Sequence, residues 1–211
     1  MNIPHPIRKL ADHLADLPTI GPRQALRLTF YLLSQGRNEL NELAKSIDEL
    51  GKLKLCRNCF FVHQNQNDLC DICGDKNRRR DLIAIIEKET DLISIEKTHK
   101  FHGRYFILGP ISKTGILEEW QKLRLQVLKA FIKNELSPLR AGASGEPASL
   151  AEEIILGFSP TSNGDFNSSI LIKELSPFAK KITRLGRGLP TGGEIEFADD
   201  ETLGEALAKR S

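Results

Sequence analysis

Four cysteines carry the clearest chemistry in this sequence, and all lie between Cys56 and Cys73. They form two pairs, Cys56-Arg-Asn-Cys59 and Cys70-Asp-Ile-Cys73, with ten residues between them. A two-residue spacing lets each pair turn back on one ion, so the two pairs can offer four thiolates at tetrahedral geometry. A redox centre needs only one such pair, near the start of a βαβ unit. The expected cofactor is therefore structural Zn²⁺, one per chain, held by Cys56, Cys59, Cys70 and Cys73. Four sulfurs leave no open position for a catalytic water, so the ion folds the segment and does no chemistry. His63, between the pairs, is read as a surface side chain and not as a ligand.

A second signal lies near the start, in Leu17-Pro-Thr-Ile20-Gly21-Pro22-Arg23-Gln-Ala25-Leu-Arg27. It resembles a helix-hairpin-helix motif. A glycine turn feeds a helix N-terminus, whose unpaired backbone N–H groups suit a phosphate. Arg23 and Arg27 are four residues apart and share one helix face beside that point. Such a site grips the nucleic-acid backbone without reading bases. Arg8, Lys9 and Arg37 extend the basic surface. A plain two-helix turn with solvated arginines fits the same residues. The common motif has glycine two residues before Gly21, where this chain has Thr19.

Carboxylates are the third group. Glu87 follows a short apolar run, and the C-terminal ends of strands are where functional groups gather in α/β sheets. Glu87 is kept as a candidate for partner binding. Asp91 and Glu96 are read as solvated surface carboxylates. Metal-assisted phosphoryl transfer needs a carboxylate cluster, and no DxD pair occurs. No GxxxxGK[ST] loop occurs either, and Gly186 to Gly193 does not fit GxGxxG. Tyr31 and Tyr105 are the two tyrosines, and neither sits in a recognisable nucleophile site.

These groups need elements to hold them. Ile7, Leu10, Ala11, Leu14 and Leu17 recur at helical spacing, giving a helix over 6–16. A second runs from Pro22 to about Leu33, with Ala25, Leu28 and Leu32 on one stripe and proline in its first turn. A third covers 38–52, with Leu40, Leu43, Ala44, Ile47 and Leu50 on its buried face. Beyond the cysteines the pattern changes. Apolar runs at 82–86, 105–108, 153–158 and 181–185 read as buried strands. Helices separate them at 89–97, 117–133 and 167–175. Alternation of this kind implies a mostly parallel sheet. Ser137 to Ser149 reads as a surface loop.

The chain has 211 residues, 40% of them hydrophobic and 27% charged, with a formal net charge of +2. These values fit a globular protein of one large domain or two to three small ones. The N-terminus lacks the apolar core of a signal peptide, and no apolar run is long enough for a membrane span. The expected compartment is the cytoplasm.

Taken in order, LPTIGPRQALRLTFYLL, the two CxxC pairs, DLIAIIEKETDLISIEKT with FHGRYFILGPIS, and ITRLGRGLPTGGEIEFADDETLGEALAKR resemble the RecR family of recombination mediators, over nearly the whole chain. The resemblance implies an α+β multidomain protein. Residues 1–53 would be the helix-hairpin-helix DNA-binding region and 54–76 the four-cysteine zinc finger. Residues 77–185 would be an α/β Toprim domain with a mostly parallel sheet, and 186–211 a Walker-B-like tail used in oligomerisation. It implies a tetrameric ring that encircles single- or double-stranded DNA without sequence preference, and partnership with RecO or RecF in loading RecA. Arg23 and Arg27, with Arg8 and Lys9, would face the DNA. Glu87 stands at the Toprim acidic position, used there in partner contact and not in catalysis. One departure is Ser159-Pro-Thr-Ser-Asn163-Gly-Asp165, where the family pattern is close to NPTxEGE or NPTxEGD; Asn163 replaces the glutamate. Two other readings remain open at this point: a magnesium-dependent Toprim nuclease or primase-like enzyme, and a zinc-ribbon adaptor that binds only proteins.

Overall fold

A computed structural model describes residues 3–112, 114–136, 150–186, 188–189 and 192–208. The expected loop at 137–149 lies outside them. The chain divides into two compact units, residues 1–53 and 54–211.

The first unit contains α1 (His5–Ala15), α2 (Pro22–Ser34) and α3 (Arg37–Leu50). Helices α1 and α2 pack together, with Ala25 and Thr29 fully buried between them and their surroundings. The Thr29 hydroxyl donates to the Ala25 carbonyl at 3.0 Å, so its polarity is satisfied within the helix. Between the helices, Leu17 N–H donates to Leu14 and Ile20 N–H to Leu17, each at 3.2 Å. This tight path forces Thr19 to φ +69°, a left-handed conformation that glycine adopts freely and a β-branched residue does not. Left-handed backbone at a non-glycine residue costs on the order of 1–3 kcal/mol, part of which glycine returns as unfolded-chain entropy. Thr19→Gly should therefore stabilise the first unit by about 1 kcal/mol. A urea-denaturation midpoint that falls in this variant would refute the strain.

Helix α3 corrects the expectation of a buried face. Leu43 is 40%, Ile47 60% and Leu50 66% exposed, and no residue of α3 is buried. The 3.6-residue period fixes which residues share a face, but not what covers that face. Leu28, expected on the inner stripe of α2, is likewise exposed.

The second unit begins with a hairpin, β1 (Lys54–Leu55) and β2 (Val62–His63), followed by the single-turn helix α4 (Asp71–Gly74). Then β3 (Leu82–Ile86), α5 (Glu89–Glu96), β4 (Arg104–Ile107), α6 (Glu119–Glu135), β5 (Ala151–Gly157), α7 (Ser162–Leu175) and β6 (Ala179–Arg184) alternate, and α8 (Asp200–Ala208) closes the described chain. The strands pair in the order β4-β3-β5-β6, every pair parallel. Ile83, Ile85, Phe106, Ile154 and Leu156 meet Leu125, Leu128 and Ile132 of α6 and Leu171 and Leu175 of α7 on one face. Ala84, Ile86, Tyr105 and Ile107 meet Leu92 of α5 on the other, together with Phe60, Phe61 and Ile72 from the cysteine segment.

Strands β4, β5 and β6 start one or two residues earlier than the apolar runs suggest, at Arg104, Ala151 and Ala179. Ladder pairing continues through charged and small residues that leave no apolar signal. Helix α7 begins at Ser162, five residues before the expected Asn167. Its N-cap is Thr161, whose side chain accepts from Gly164 N–H at 3.1 Å, a role that serine and threonine fill well.

Candidate nucleic-acid interface and metal centre

The cysteine segment folds as two turns facing each other. Cys56 N–H donates to Phe61 at 2.8 Å and Phe60 N–H to Cys56 at 2.9 Å. The Phe61 amide points at the Cys59 sulfur, 3.5 Å away, and Gly74 N–H closes the second turn on Cys70 at 2.8 Å. All four sulfurs are buried and lie within 4.8 Å of one another. Thiolates about 2.3 Å from one tetrahedral zinc sit roughly 3.8 Å apart, and the Cys59–Cys70 sulfur separation is 3.5 Å. The donor set thus fits a divalent ion of the zinc type. At this packing hydrogen bonding with Cys59 lowers the Cys56 thiol, and the same bond raises that of Cys59. Among the described residues this is the single group of three or more candidate ligands.

His63 corrects its sequence reading. It is 8% exposed, and its Nδ1 accepts from the Asn65 amide at 3.2 Å. It is not part of the sulfur cluster.

The segment is bound to the sheet by residues that spacing arguments did not identify. Arg104, 5% exposed, donates to the carbonyls of Ile72 and Asp75 at 3.0 Å each, and also to Cys73. Ile107 N–H on the edge strand β4 donates to Cys59 at 2.9 Å. Phe60, at φ +65°, lays its ring edge-on to Phe106, with centroids 5.6 Å apart. Arg124 of α6 covers that ring at 4.7 Å and donates to the Ile107 carbonyl at 3.0 Å. In the sequence, the signal for this is the position of Arg104 directly before the apolar run at 105–108.

In the first unit α2 begins without a capping side chain. Gly21 is its N-cap, with extended backbone and no capping side chain, and Pro22 opens the first turn. Ala25 is the first residue to bond back, to Gly21 at 2.9 Å, which leaves the Arg23 and Gln24 amides directed outward. A Cβ added at Gly21 would meet nothing within 4 Å, and its φ is negative. The fold itself therefore does not require glycine there, whereas a backbone approaching those amides would. Arg23 and Arg27 are exposed, as are Arg8 and Lys9 on α1.

Glu87 lies just past β3, where the ends of β3, β4 and β5 converge. This is the point at which strand order reverses, the usual ligand crevice of such sheets. Burial raises its carboxyl above the usual range, and Asp91 adds repulsion; Lys88 and the amides of Ser159 and Ile111 oppose the rise. Gly164 keeps the Ser159 loop in place, because a Cβ there would stand 2.0 Å from the Ser159 carbonyl. A raised folded-state pKa means stability that is fully present below the unfolded pKa and lost as pH rises through the folded one. Glu87→Gln should therefore melt higher than the parent at pH 7 and converge with it near pH 4. Parallel melting curves across that range would contradict the assignment.

Of Asp91 and Glu96, both read as solvated, Glu96 is the one that the structure corrects. Asp91 accepts from the Lys88 amide at 3.0 Å and caps α5. Glu96 is half-buried in a two-pronged pair with Arg78; despite the upward push of burial, Arg78 holds it below the usual range. Asp165 pairs with Arg184 at 3.0 Å. Tyr105 is buried and Tyr31 exposed. Asn163 is exposed at the start of α7.

Similarity to known proteins agrees with this arrangement. A family model described as RecR, helix-hairpin-helix matches residues 7–50, and one described as RecR, C-terminal matches residues 188–211. The recombination protein RecR of Frankia alni is 35% identical over 209 residues, covering 97% of this chain and 95% of that protein. The chain belongs to the RecR family. The RecR of Chloroflexus aggregans is 36% identical over 208 residues, 97% of this chain and 93% of its own length. That of Herpetosiphon aurantiacus is 37% identical over 210 residues, 98% and 94% respectively. The four-cysteine cluster, the N-terminal helical hairpin and the parallel sheet thus sit in a chain that aligns with RecR proteins almost end to end. No helix among the described residues is long and apolar enough to cross a membrane.

Proposed function

We propose that this chain is a non-catalytic DNA-clamp subunit of recombinational repair. It would act in the cytoplasm, at the nucleoid, and help RecA load with RecO or RecF. The observation that carries the reading is the open N-terminus of α2, with outward amides, an unobstructed Gly21 and the exposed pair Arg23 and Arg27, in a chain of the RecR family. Arg8 and Lys9 add positive charge on α1. The sulfur cluster is read as a zinc site, since four thiolates close the coordination shell. Zinc supplies rigidity here, while Arg104 and the Cys59–Ile107 hydrogen bond tie the segment to the sheet. Residues 1–53, 54–76, 77–185 and 186–211 are taken as hairpin region, finger, Toprim domain and tail.

Binding is favoured over catalysis because Asp91 and Asp165 are engaged in a helix cap and an ion pair, which leaves Glu87 without a carboxylate cluster. Glu87 is assigned to partner contact. Exposed apolar residues support association with further copies, which in the ring that the family implies would number four: Ile47 and Leu50 on α3, and Ile195 and Phe197 in the tail, the last 80% exposed. Surfaces of this kind mark interfaces. The test is mass in solution with and without DNA, together with retention on circular and linear DNA at raised salt. A four-chain mass and longer retention on circles are expected. Equal loss from both forms would exclude encirclement.

A further inference from the structure

Helix α2 carries more on its open side than the two arginines. Arg23, Arg27 and Tyr31 are spaced by four residues and form one ridge, each rising about 6 Å beyond the last. Tyr31 is 59% exposed, a large aromatic ring displayed to solvent at the end of a basic row. Beside it lies an open groove of about 490 Å³ lined by Gln24, Arg27, Leu28 and Tyr31. The opposite side of the helix holds the buried Ala25 and Thr29, so the ridge points away from the packing that folds the unit.

We propose that Tyr31 is a base-stacking residue for single-stranded DNA, with Arg23 and Arg27 holding the adjoining phosphates and the Leu28 side chain flooring the groove. This rests on the reading of α2 as the DNA-contacting helix and gives that helix a preferred ligand. Positive charge alone holds duplex and single strand alike. An exposed ring beside it discriminates, because only unpaired bases present a free face, and stacking accepts any base. Charge complementarity favours a polyanion over an apolar protein segment at this groove. Gln24 adds a side-chain amide that can hydrogen-bond phosphate or base edge.

The experiment compares three ligands of equal length, oligo-dT, an abasic oligomer with the same backbone, and a duplex, against the full-length parent, Tyr31→Ala, Tyr31→Trp and Arg23→Ala/Arg27→Ala. Tyr31→Ala should weaken oligo-dT binding about tenfold, as expected for loss of one stacked base. It should leave abasic and duplex binding within about twofold, and Tyr31→Trp should restore oligo-dT binding. Equal losses on all three ligands, or none, would overturn the stacking role. So would a changed oligomer mass for Tyr31→Ala, which would make the ring a contact with a second copy. If the arginine pair reduces binding to all three ligands while Tyr31→Ala changes nothing, the DNA-binding reading stands and this inference alone falls. If the parent binds none of them, both fall.

Discussion

Cys59→Ala is expected to empty the metal site and unfold residues 54–75. Structural zinc in small modules contributes an apparent binding energy of about 10–16 kcal/mol, while a whole domain is stable by only about 5–15 kcal/mol. Losing one of four ligands therefore puts at stake a contribution comparable to the stability of a whole domain. The damage should spread, because Phe60, Phe61 and Ile72 of this segment cover one face of the sheet. Without them Ile107 and Tyr105 lose their cover, and β4 becomes a bare edge strand, which invites aggregation. Elemental analysis should fall from about one zinc per chain to none. Limited proteolysis should cut within 54–75, and soluble yield should drop severalfold. A variant that melts with the parent, or a parent that contains no zinc when purified without chelators, would remove the metal from the account.

The cysteine cluster was legible because ligand chemistry leaves a fixed spacing. The sheet was legible because parallel strands buried on both faces read as unbroken apolar runs, as Leu82–Ile86 does. What sequence could not reveal was how the two are joined. Arg104 stands directly before an apolar run, yet its guanidinium is buried among three carbonyls of the cysteine segment. That role depends on contacts across some thirty residues, which no local pattern encodes. Phe60 is similar: its left-handed backbone and its packing on Phe106 follow from the turn over 56–61 and become visible only in three dimensions.

Glu96 departs from its expectation for a related reason. It is a polar residue on a short helix, so solvation is the natural expectation. A partner eighteen residues away, Arg78, decides otherwise. Apolar residues failed in the opposite direction. The stripe on α3 was correctly seen as a face, but its cover is not supplied within the described chain. A repeating pattern records which residues share a face, and exposed apolar faces of this kind mark sites of association. Thr19 is a third case. The missing glycine read as a weaker match to the hairpin motif, whereas the backbone keeps the glycine conformation and strains the threonine to reach it.

Arg23→Ala/Arg27→Ala should lower DNA affinity most at low salt and leave folding untouched. Both side chains are exposed, and neither has a hydrogen bond or ion pair among the described residues. Alanine is at least as good a helix former as arginine, so the melting temperature should not fall. Each phosphate contact releases condensed counterions, which sets the slope of log affinity against log salt at about −0.9 per contact on duplex and −0.7 on single strands. Removing two contacts per engaged copy should flatten the slope by about 1.8 on duplex and 1.4 on single strands. At 0.1 M salt this corresponds to roughly a 60-fold weaker duplex complex per engaged copy, shrinking toward no difference near 1 M. The form of the loss matters as much as its size. A salt-independent drop would mean the arginines shape the protein and do not meet phosphate. An unchanged slope with unchanged affinity would place the DNA elsewhere on the molecule, because counterion release counts contacts whatever the path of the strand. The expected outcome is a flatter line for the variant that meets the parental line at high salt, on every DNA sequence tried.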